Sequence, residues 1–221
     1  FCHASHNMSA ENEKMTNKLD RWIEEKLQDT ASPKHIITPS KEKVNMQYQK
    51  KNHGNPQQFQ QNSGVKIIPL GGLDEVGKNM MAIEYRDDII IIDMGFQFPE
   101  EDMLGIDYVI PDISYLEKRV HKIKGVIITH GHLDHTGAIP YVLPRLNFPK
   151  LYATKLTMGL IQKRVEEFGI QKDTIMRVVN PDDTLRLGAF TCRFFRVNHS
   201  IPDGVGVIID TPHGTIVHTG D

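Results

Sequence analysis

The sequence predicts a layered α/β domain preceded by a disordered N-terminal tail, and two observations carry this prediction. From Val65 onward, short β-rich runs are separated by glycines and charged turns, with helix-like segments between some of them. Before that, residues 30–63 are rich in Gln, Asn, Lys, Ser and Pro and hold few large apolar side chains. Such a segment cannot bury enough surface to offset the entropy lost on ordering. We therefore predict a largely disordered tail over residues 1–63 and a folded part over 64–221.

One segment of the tail has helical periodicity. Ser9 is a suitable N-cap for a helix over residues 10–28. Five apolar side chains of this segment fall on one helix face: Met15, Leu19, Trp22, Ile23 and Leu27. Two interpretations stay open. The segment is either a helix that docks a partner or a marginal helix with one apolar stripe, because short isolated helices are weak in water.

The elements of the folded part are predicted in chain order. Alternating and β-branched runs predict strands at 65–70, 79–85, 88–93 and 124–129. Helices are predicted at 112–121 and at 155–168, and the second of these has five apolar side chains on one face. Later strands are predicted at MRVV (176–179), TLRL (184–187), FTCRFFRV (190–197), VGVIID (205–210) and TIVHTG (215–220).

Composition and charge narrow the class of protein. The chain has 221 residues and a formal net charge of -2, so it has no general electrostatic field that attracts nucleic acid or anionic membranes. No apolar run approaches the roughly 18 residues of a membrane-spanning helix, and the start of the chain does not form a secretory signal. Cys2 and Cys192 form neither a metal motif nor a disulfide framework, which favours a cytoplasmic location.

A dense group of candidate metal ligands follows the fourth predicted strand. His130, His132, Asp134 and His135 lie within six positions. On an extended strand end, residues two apart point the same way, so His130 and His132 can reach one ion. Asp134 and His135 lie where we expect the chain to turn, before a helix expected to begin at Thr136–Gly137.

Six residues cannot complete two metal sites, because zinc requires about four ligands for each ion. His199 and Asp221 both lie just past predicted strands, where a layered fold brings them to the same edge. The predicted ligand sets are His130, His132 and His199 for one ion and Asp134 and His135 for the other, with Asp221 bridging both. Two ions about 3.5–4 Å apart can generate a hydroxide at neutral pH and stabilise the oxygens of a phosphoester.

These residues resemble the signature of the metallo-β-lactamase-fold hydrolases. HGHLDH (130–135) is similar to its histidine motif, and Asp93, His199 and Asp221 follow the order of the other superfamily motifs. Four longer stretches resemble one branch, the ribonuclease J family of bacterial RNA-processing and RNA-decay enzymes. They are GGLDEVGKN (71–79), DMGFQFPEEDMLGIDYVIPD (93–112), ITHGHLDHTGAIPYVL (128–143) and VNHSIPDGVGVIIDTPHGTIVHTGD (197–221). The resemblance covers residues 65–221 and not the tail.

The resemblance implies a fold, an activity and roles for two carboxylates. The fold is a partial metallo-β-lactamase αββα sandwich with two Zn²⁺ ions at one edge of the sheets, where Mn²⁺ is also accepted. The activity is that of a metal-dependent ribonuclease, 5′-to-3′ exonuclease and endonuclease, in rRNA processing and mRNA decay. Asp93 and Asp134 take catalytic roles, and Asp93 is expected to accept a hydrogen bond from a ligand imidazole.

Residues beside these motifs are assigned structural roles. Gly71, Gly72 and Gly77 are expected to set the turn after the first strand. Ser200 and Asp203 are expected to shape the loop that carries His199.

The pattern of the ribonuclease J family extends beyond residue 221. Its members continue with a β-CASP domain and a small C-terminal domain, which supply a further ligand histidine and groups that grip RNA. We therefore expect this chain to be an N-terminal part that binds one metal better than two and has little or no nuclease activity alone. The full-length protein is expected to be a homo-oligomer whose partners are RNA and RNA-decay proteins, with no membrane.

Two other functions fit the sequence. The ligand set alone does not fix the substrate, so another metallo-β-lactamase-fold hydrolase, acting on a thioester, a lactam or a different phosphodiester, is one alternative. The second is a non-catalytic binding module that captures a partner through the tail helix.

Overall fold

The computed structural model describes residues 64–221, and their strands form two sheets. The six-stranded sheet follows chain order: β1 (Lys66–Gly71), β2 (Met80–Tyr85), β3 (Asp88–Ile92), β4 (Ile123–Ile127), β5 (Leu151–Ala153) and β6 (Met176–Val178). The four-stranded sheet has the order β10-β9-β8-β7, with β7 (Thr184–Leu187), β8 (Phe190–Arg196), β9 (Val205–Thr211) and β10 (Gly214–His218).

All helices of the described residues lie between β3 and β6. They are α1 (Ser114–Glu117), α2 (Leu133–Thr136), α3 (Ile139–Val142) and α4 (Lys155–Glu167), with 3₁₀ turns at Val120–Lys122 and Pro144–Leu146. Because helical crossovers connect them, β3, β4, β5 and β6 pair in parallel, whereas β1 to β3 and the whole four-stranded sheet pair antiparallel. The predicted α/β class is confirmed, and the described part contains two sheets and one group of helices.

The main core lies between the two sheets. Ile90 and Ile92 of β3 belong to a buried cluster with Val207 and Ile209 of β9. Ile89 and Ile91 point to the opposite face of the sheet and are also fully buried. Burial on both faces explains why β3 is a continuous apolar run and not an alternating one.

The parallel pairing of β3 with β4 positions the functional edge. Ile92 pairs with Ile127, so both strands end at the same level of the sheet. The backbone N–H of Asp93 then donates to the carbonyl oxygen of Ile127 at 2.9 Å. The residues that follow each strand therefore enter the same region of space.

Two helix predictions were wrong in their extent. The helix predicted at 112–121 is a single turn, α1, which buries Leu116 and is followed by the 3₁₀ turn. The chain then leaves the helical path because Ile123 has to pair with Ile89. The helix expected at Thr136–Gly137 begins instead at Leu133, because His132 is extended and its carbonyl oxygen already accepts two backbone N–H groups of α2.

The other predicted elements of the folded part are present with small differences in their bounds. The nine predicted strands correspond to nine of the ten observed strands, β1 to β4 and β6 to β10. The unpredicted strand is β5, a three-residue strand in the middle of the parallel region. The predicted disordered tail and its helix at 10–28 lie outside the described residues.

No helix within residues 64–221 has the length and apolar character needed to cross a membrane.

Gly95 lies at a close backbone approach that sets the position of α2. A Cβ atom added at Gly95 would lie 1.5 Å from the carbonyl oxygen of Asp134. We expect Gly95→Ala to lower the free energy of unfolding by about 3 kcal/mol, near the upper end for overpacking, because backbone has to move. Chemical denaturation measures this. Gly64→Ala is the control for an exposed glycine, since its φ is not positive and a Cβ there meets no atom within 4 Å, and a larger loss at Gly64 would contradict the prediction.

Candidate metal centre

The predicted ligands converge where strands of both sheets end. Asp93 follows β3, and His130 follows β4 after a two-residue extension. His135 lies in α2, on the first turn after the extended segment. The four-stranded sheet contributes His199 from the loop between β8 and β9, and Asp221 after β10. Five segments of the chain therefore supply one site.

The first ligand group consists of His130, His132 and His199. One ring nitrogen of each histidine lies within 4.8 Å of the others. His132 Nδ1 and His199 Nε2 are 3.0 Å apart. Two nitrogens bound to one tetrahedral zinc at about 2.0–2.1 Å are about 3.3 Å apart, so this spacing fits a shared ion.

The second ligand group consists of His130, His135 and Asp221, whose ligand atoms also lie within 4.8 Å of one another. Asp221 Oδ2 is 3.3 Å from His135 Nε2 and 4.0 Å from His130 Nε2. The same oxygen is 3.7 Å from His199 Nε2 in the first group. The Asp221 carboxylate therefore faces both groups, which is the geometry that a bridging ligand requires.

Asp134 lies beside the second group and not within it. Its Oδ2 atom is 3.5 Å from His135 Nε2, and its carboxylate is 36% exposed. The grouping differs from the predicted ligand sets in one further respect, because His130 belongs to both groups. The two-residue spacing of His130 and His132 predicts that they share an ion. It does not show that His130 also lies beside His135 and Asp221.

The shared histidine has the chemistry of a metal ligand. His130 Nε2 is buried and has no hydrogen-bond partner among the described residues, an arrangement that is costly unless a ligand binds there. Burial, with a smaller contribution from nearby His135, lowers the pKa of His130 to about 4. The ring is therefore neutral at pH 7, and a cation fits its free lone pair.

Asp93 is a buried carboxylate that orients His135. Its Oδ2 atom lies 2.8 Å from His135 Nδ1, and the backbone N–H of Thr129 donates to its Oδ1 atom at 2.8 Å. A carboxylate only accepts, so Nδ1 carries the proton and Nε2 faces Asp221. Burial opposes protonation of His135, but the Asp93 hydrogen bond and the charges of Asp93, Asp221 and Asp134 outweigh it and raise its pKa to about 8. The predicted role of Asp93 requires this contact.

Residues 73–221 match the family model of the metallo-beta-lactamase superfamily. The chain belongs to the metallo-β-lactamase superfamily.

Two curated relatives of this metallo-β-lactamase chain carry the same name. It is 48% identical to "Ribonuclease J" of Thermus thermophilus, over 71% of this chain and 28% of that protein. It is 43% identical to "Ribonuclease J" of Synechocystis, over 73% of this chain and 25% of that protein. The chain thus spans less than a third of the length of these relatives, and the predicted resemblance to the ribonuclease J family is confirmed.

A solved structure shows the same fold. A protein of unknown function from Enterococcus faecalis superposes with a TM-score of 0.53 at 20% identity, over 70% of this chain and 43% of that chain.

Asp203 holds the His199 loop of the metallo-β-lactamase domain against α4. Its Oδ2 atom accepts a hydrogen bond from the backbone N–H of Leu156 at 3.1 Å, and its carbonyl oxygen accepts one from Thr154 Oγ1 at 2.7 Å. The first contact caps an otherwise free donor in the first turn of α4. Asp203 therefore has the loop-shaping contacts that the sequence led us to expect, whereas Ser200 is exposed.

Two residues of the metallo-β-lactamase site were not singled out from the sequence. Thr129 Oγ1 lies 2.9 Å from Asp93 Oδ2 and 3.0 Å from His130 Nδ1, so it connects the two. Asn79 Nδ2 lies 3.2 Å from Asp134 Oδ2 and 3.1 Å from His135 Nε2. The available signals were the position of Thr129 next to the first histidine and that of Asn79 at the end of GGLDEVGKN.

A cleft of about 280 Å³ opens on the second ligand group. Its walls include Gly72, Asn79, His135, His218 and Asp221. The cleft therefore reaches the side of the metallo-β-lactamase centre where His135 and Asp221 lie.

Proposed function

We propose that this metallo-β-lactamase domain forms the metal centre of a ribonuclease of the ribonuclease J type. The proposed reaction is hydrolysis of RNA phosphodiester bonds by 5′-to-3′ exonuclease and endonuclease activity in RNA processing and decay. One observation carries it: two ligand groups share His130, and the Asp221 carboxylate faces both. The name of the curated relatives supports RNA as the substrate.

Each residue of the site has a proposed part in this chemistry. His130, His132 and His199 would hold one cation, and His135 would hold a second together with Asp134 and Asp221. Divalent cations bound there supply Lewis-acid activation of water and stabilise charge on phosphoryl oxygens. Histidine and carboxylate ligands suit Zn²⁺ and also accept Mn²⁺. Asp93 keeps the proton of His135 on Nδ1, so that Nε2 is free to bind.

The activity test uses the full-length gene product that contains residues 1–221. It is incubated with 5′-monophosphorylated RNA, single-stranded DNA, a thioester and a β-lactam, each with Zn²⁺ or Mn²⁺. We expect hydrolysis of RNA that a chelator and His132→Ala both abolish. Turnover of the thioester or the lactam instead of RNA would favour the alternative hydrolase. Metal-independent cleavage, or cleavage that survives His132→Ala, would refute the proposal.

We expect metal loading to decrease as the pH falls. Ligand imidazoles bind only when neutral, so protons compete with the cation. Because the pKa of His135 is raised to about 8, filling of the second group should release about one proton at pH 7 and weaken as the pH falls. Metal content after dialysis at several pH values measures this. We expect clearly lower loading below about pH 6, and a content that is constant between pH 5 and 8 would contradict the site.

A further inference from the structure

Asn79 contacts the second group without being a metal ligand. Its side-chain nitrogen Nδ2 lies 3.2 Å from Asp134 Oδ2, 3.2 Å from the carbonyl oxygen of Asp134 and 3.1 Å from His135 Nε2. Its backbone is held on both sides, because Asn79 N–H donates to the Asp134 carbonyl oxygen at 3.1 Å and Gly95 N–H donates to the Asn79 carbonyl oxygen at 3.0 Å. The amide therefore has a fixed place beside Asp134.

The orientation of this amide follows from its neighbours. The three atoms around Nδ2 are a carboxylate oxygen, a carbonyl oxygen and an imidazole nitrogen, two of which can only accept. A flipped amide would put its oxygen against those two acceptors. On the other side, Asn79 Oδ1 lies next to Gly72, where an added Cβ would be 2.4 Å away. Gly72 thus leaves the space that the amide oxygen occupies.

Asp134 depends on this donor for its orientation. Among residues 64–221, Asn79 is the one hydrogen-bond donor to the Asp134 carboxylate, apart from the 3.5 Å approach of His135 Nε2. The carboxylate is 36% exposed, so solvent would compete for it if the donor were absent. A carboxylate that must be ordered before it can act loses that conformational freedom at a cost in free energy.

Asn79 Nδ2 also contacts the ring nitrogen Nε2 of His135. The Nδ1 proton of His135 is directed at Asp93, so the lone pair of the neutral ring is on Nε2. Of the three groups around Nε2, the Asp134 and Asp221 carboxylates cannot donate, and Asn79 can. A cation at the second group would take this lone pair, and the Asn79 amide would then keep its contact with Asp134 alone.

We propose that Asn79 is a positioning residue that holds the Asp134 carboxylate beside His135 and thereby sets the affinity of the second group for a divalent cation. This inference rests on the cation binding in the proposed function. Asn79 acts through Asp134 and does not itself bind the cation.

The test is a titration of the metal-free full-length gene product that contains residues 1–221 with Mn²⁺ by calorimetry. Asn79→Leu keeps the shape of the side chain and removes the donor, and Asn79→Ala removes the donor without adding apolar bulk. We expect both variants to bind the second cation about 10- to 100-fold more weakly, with the first affinity unchanged. Asn180→Ala is the matched control, because Asn180 makes a similar pair with Asp183 on the exposed turn after β6. Its two affinities should equal those of the wild type.

The outcomes separate this inference from the proposed function. If the wild type binds no cation, the proposed function fails. If the wild type binds cations and both Asn79 variants keep or improve the second affinity, the inference alone is overturned. Crystal structures of the metal-free wild type and Asn79→Leu give an independent measurement. An Asp134 carboxylate turned away from His135 in the variant supports the inference, and an unmoved one overturns it.

Discussion

Replacing His130 with alanine is expected to remove the cation from the first ligand group. The reason is that His130 Nε2 is buried without a hydrogen-bond partner among the described residues, and its one lone pair can serve only one ion, the ion of His132 and His199. The first group then keeps only two of its three ligands, too few to hold an ion against water. Metal content per chain, measured by elemental analysis after dialysis against Zn²⁺ or Mn²⁺, should fall by the share of the first group.

Two variants make the result for His130 specific. His121→Ala removes an exposed histidine in the 3₁₀ turn before β4, far along the strand from the site, and should leave the metal content unchanged. His199→Ala should likewise empty the first group and leave the ligands of the second. Retention of a full metal complement by His130→Ala would show that His130 holds no cation. Circular dichroism checks that each variant is folded.

Asp93→Asn is expected to destabilise the metal-free protein most strongly at low pH. Asp93 and His135 form a buried contact of 2.8 Å, with side chains 2% and 3% exposed. The pKa of His135 is raised from 6.5 to about 8 in the folded state, which corresponds to about 2 kcal/mol of stability. This contribution is fully present below the unfolded pKa and is lost as the pH rises through about 8. The difference between wild type and variant should therefore be about 2 kcal/mol larger near pH 5.5 than near pH 9.

Denaturant unfolding in the presence of a chelator measures this difference. Asp210→Asn is the matched control, because Asp210 pairs with Arg193 and no histidine is involved. Its effect on unfolding should not change between these two pH values. A difference between wild type and Asp93→Asn that is constant, or larger at high pH, would show that Asp93 does not stabilise the protonated form of His135.

Sequence reasoning succeeded where the signal is local. The four isoleucines of β3 predict a strand, and 155–168 predicts α4 because its apolar positions recur at helical spacing. In HGHLDH the signal is the residue type, since few sequences place three imidazoles and a carboxylate in six positions. His199 and Asp221 could be added because both follow predicted strands, and the ends of strands meet at sheet edges.

The remaining features depend on approaches between distant segments. Asn79 and Asp134 are 55 positions apart, and Asp203 reaches the N–H of Leu156 across 47 positions. No local pattern encodes such a contact, because it arises only after both sheets have formed. The start of α2 was misplaced for the same reason. Met94 and Phe96 donate to carbonyl oxygens of this helix, and the sequence does not show that these segments meet.

Both sheets contribute ligands to the site, and this has a consequence for motion. His130, His132 and His135 follow the six-stranded sheet, whereas His199 and Asp221 follow the four-stranded sheet. In the absence of a cation, the backbone link at this edge is the hydrogen bond from Val205 N–H to the Thr129 carbonyl oxygen, at 3.0 Å. A bound cation would link the two sheets through their ligands, so separation of the sheets at this edge would require the cation to dissociate. Amide hydrogens of β8 and β9 should then exchange more slowly with solvent deuterium when metal is present.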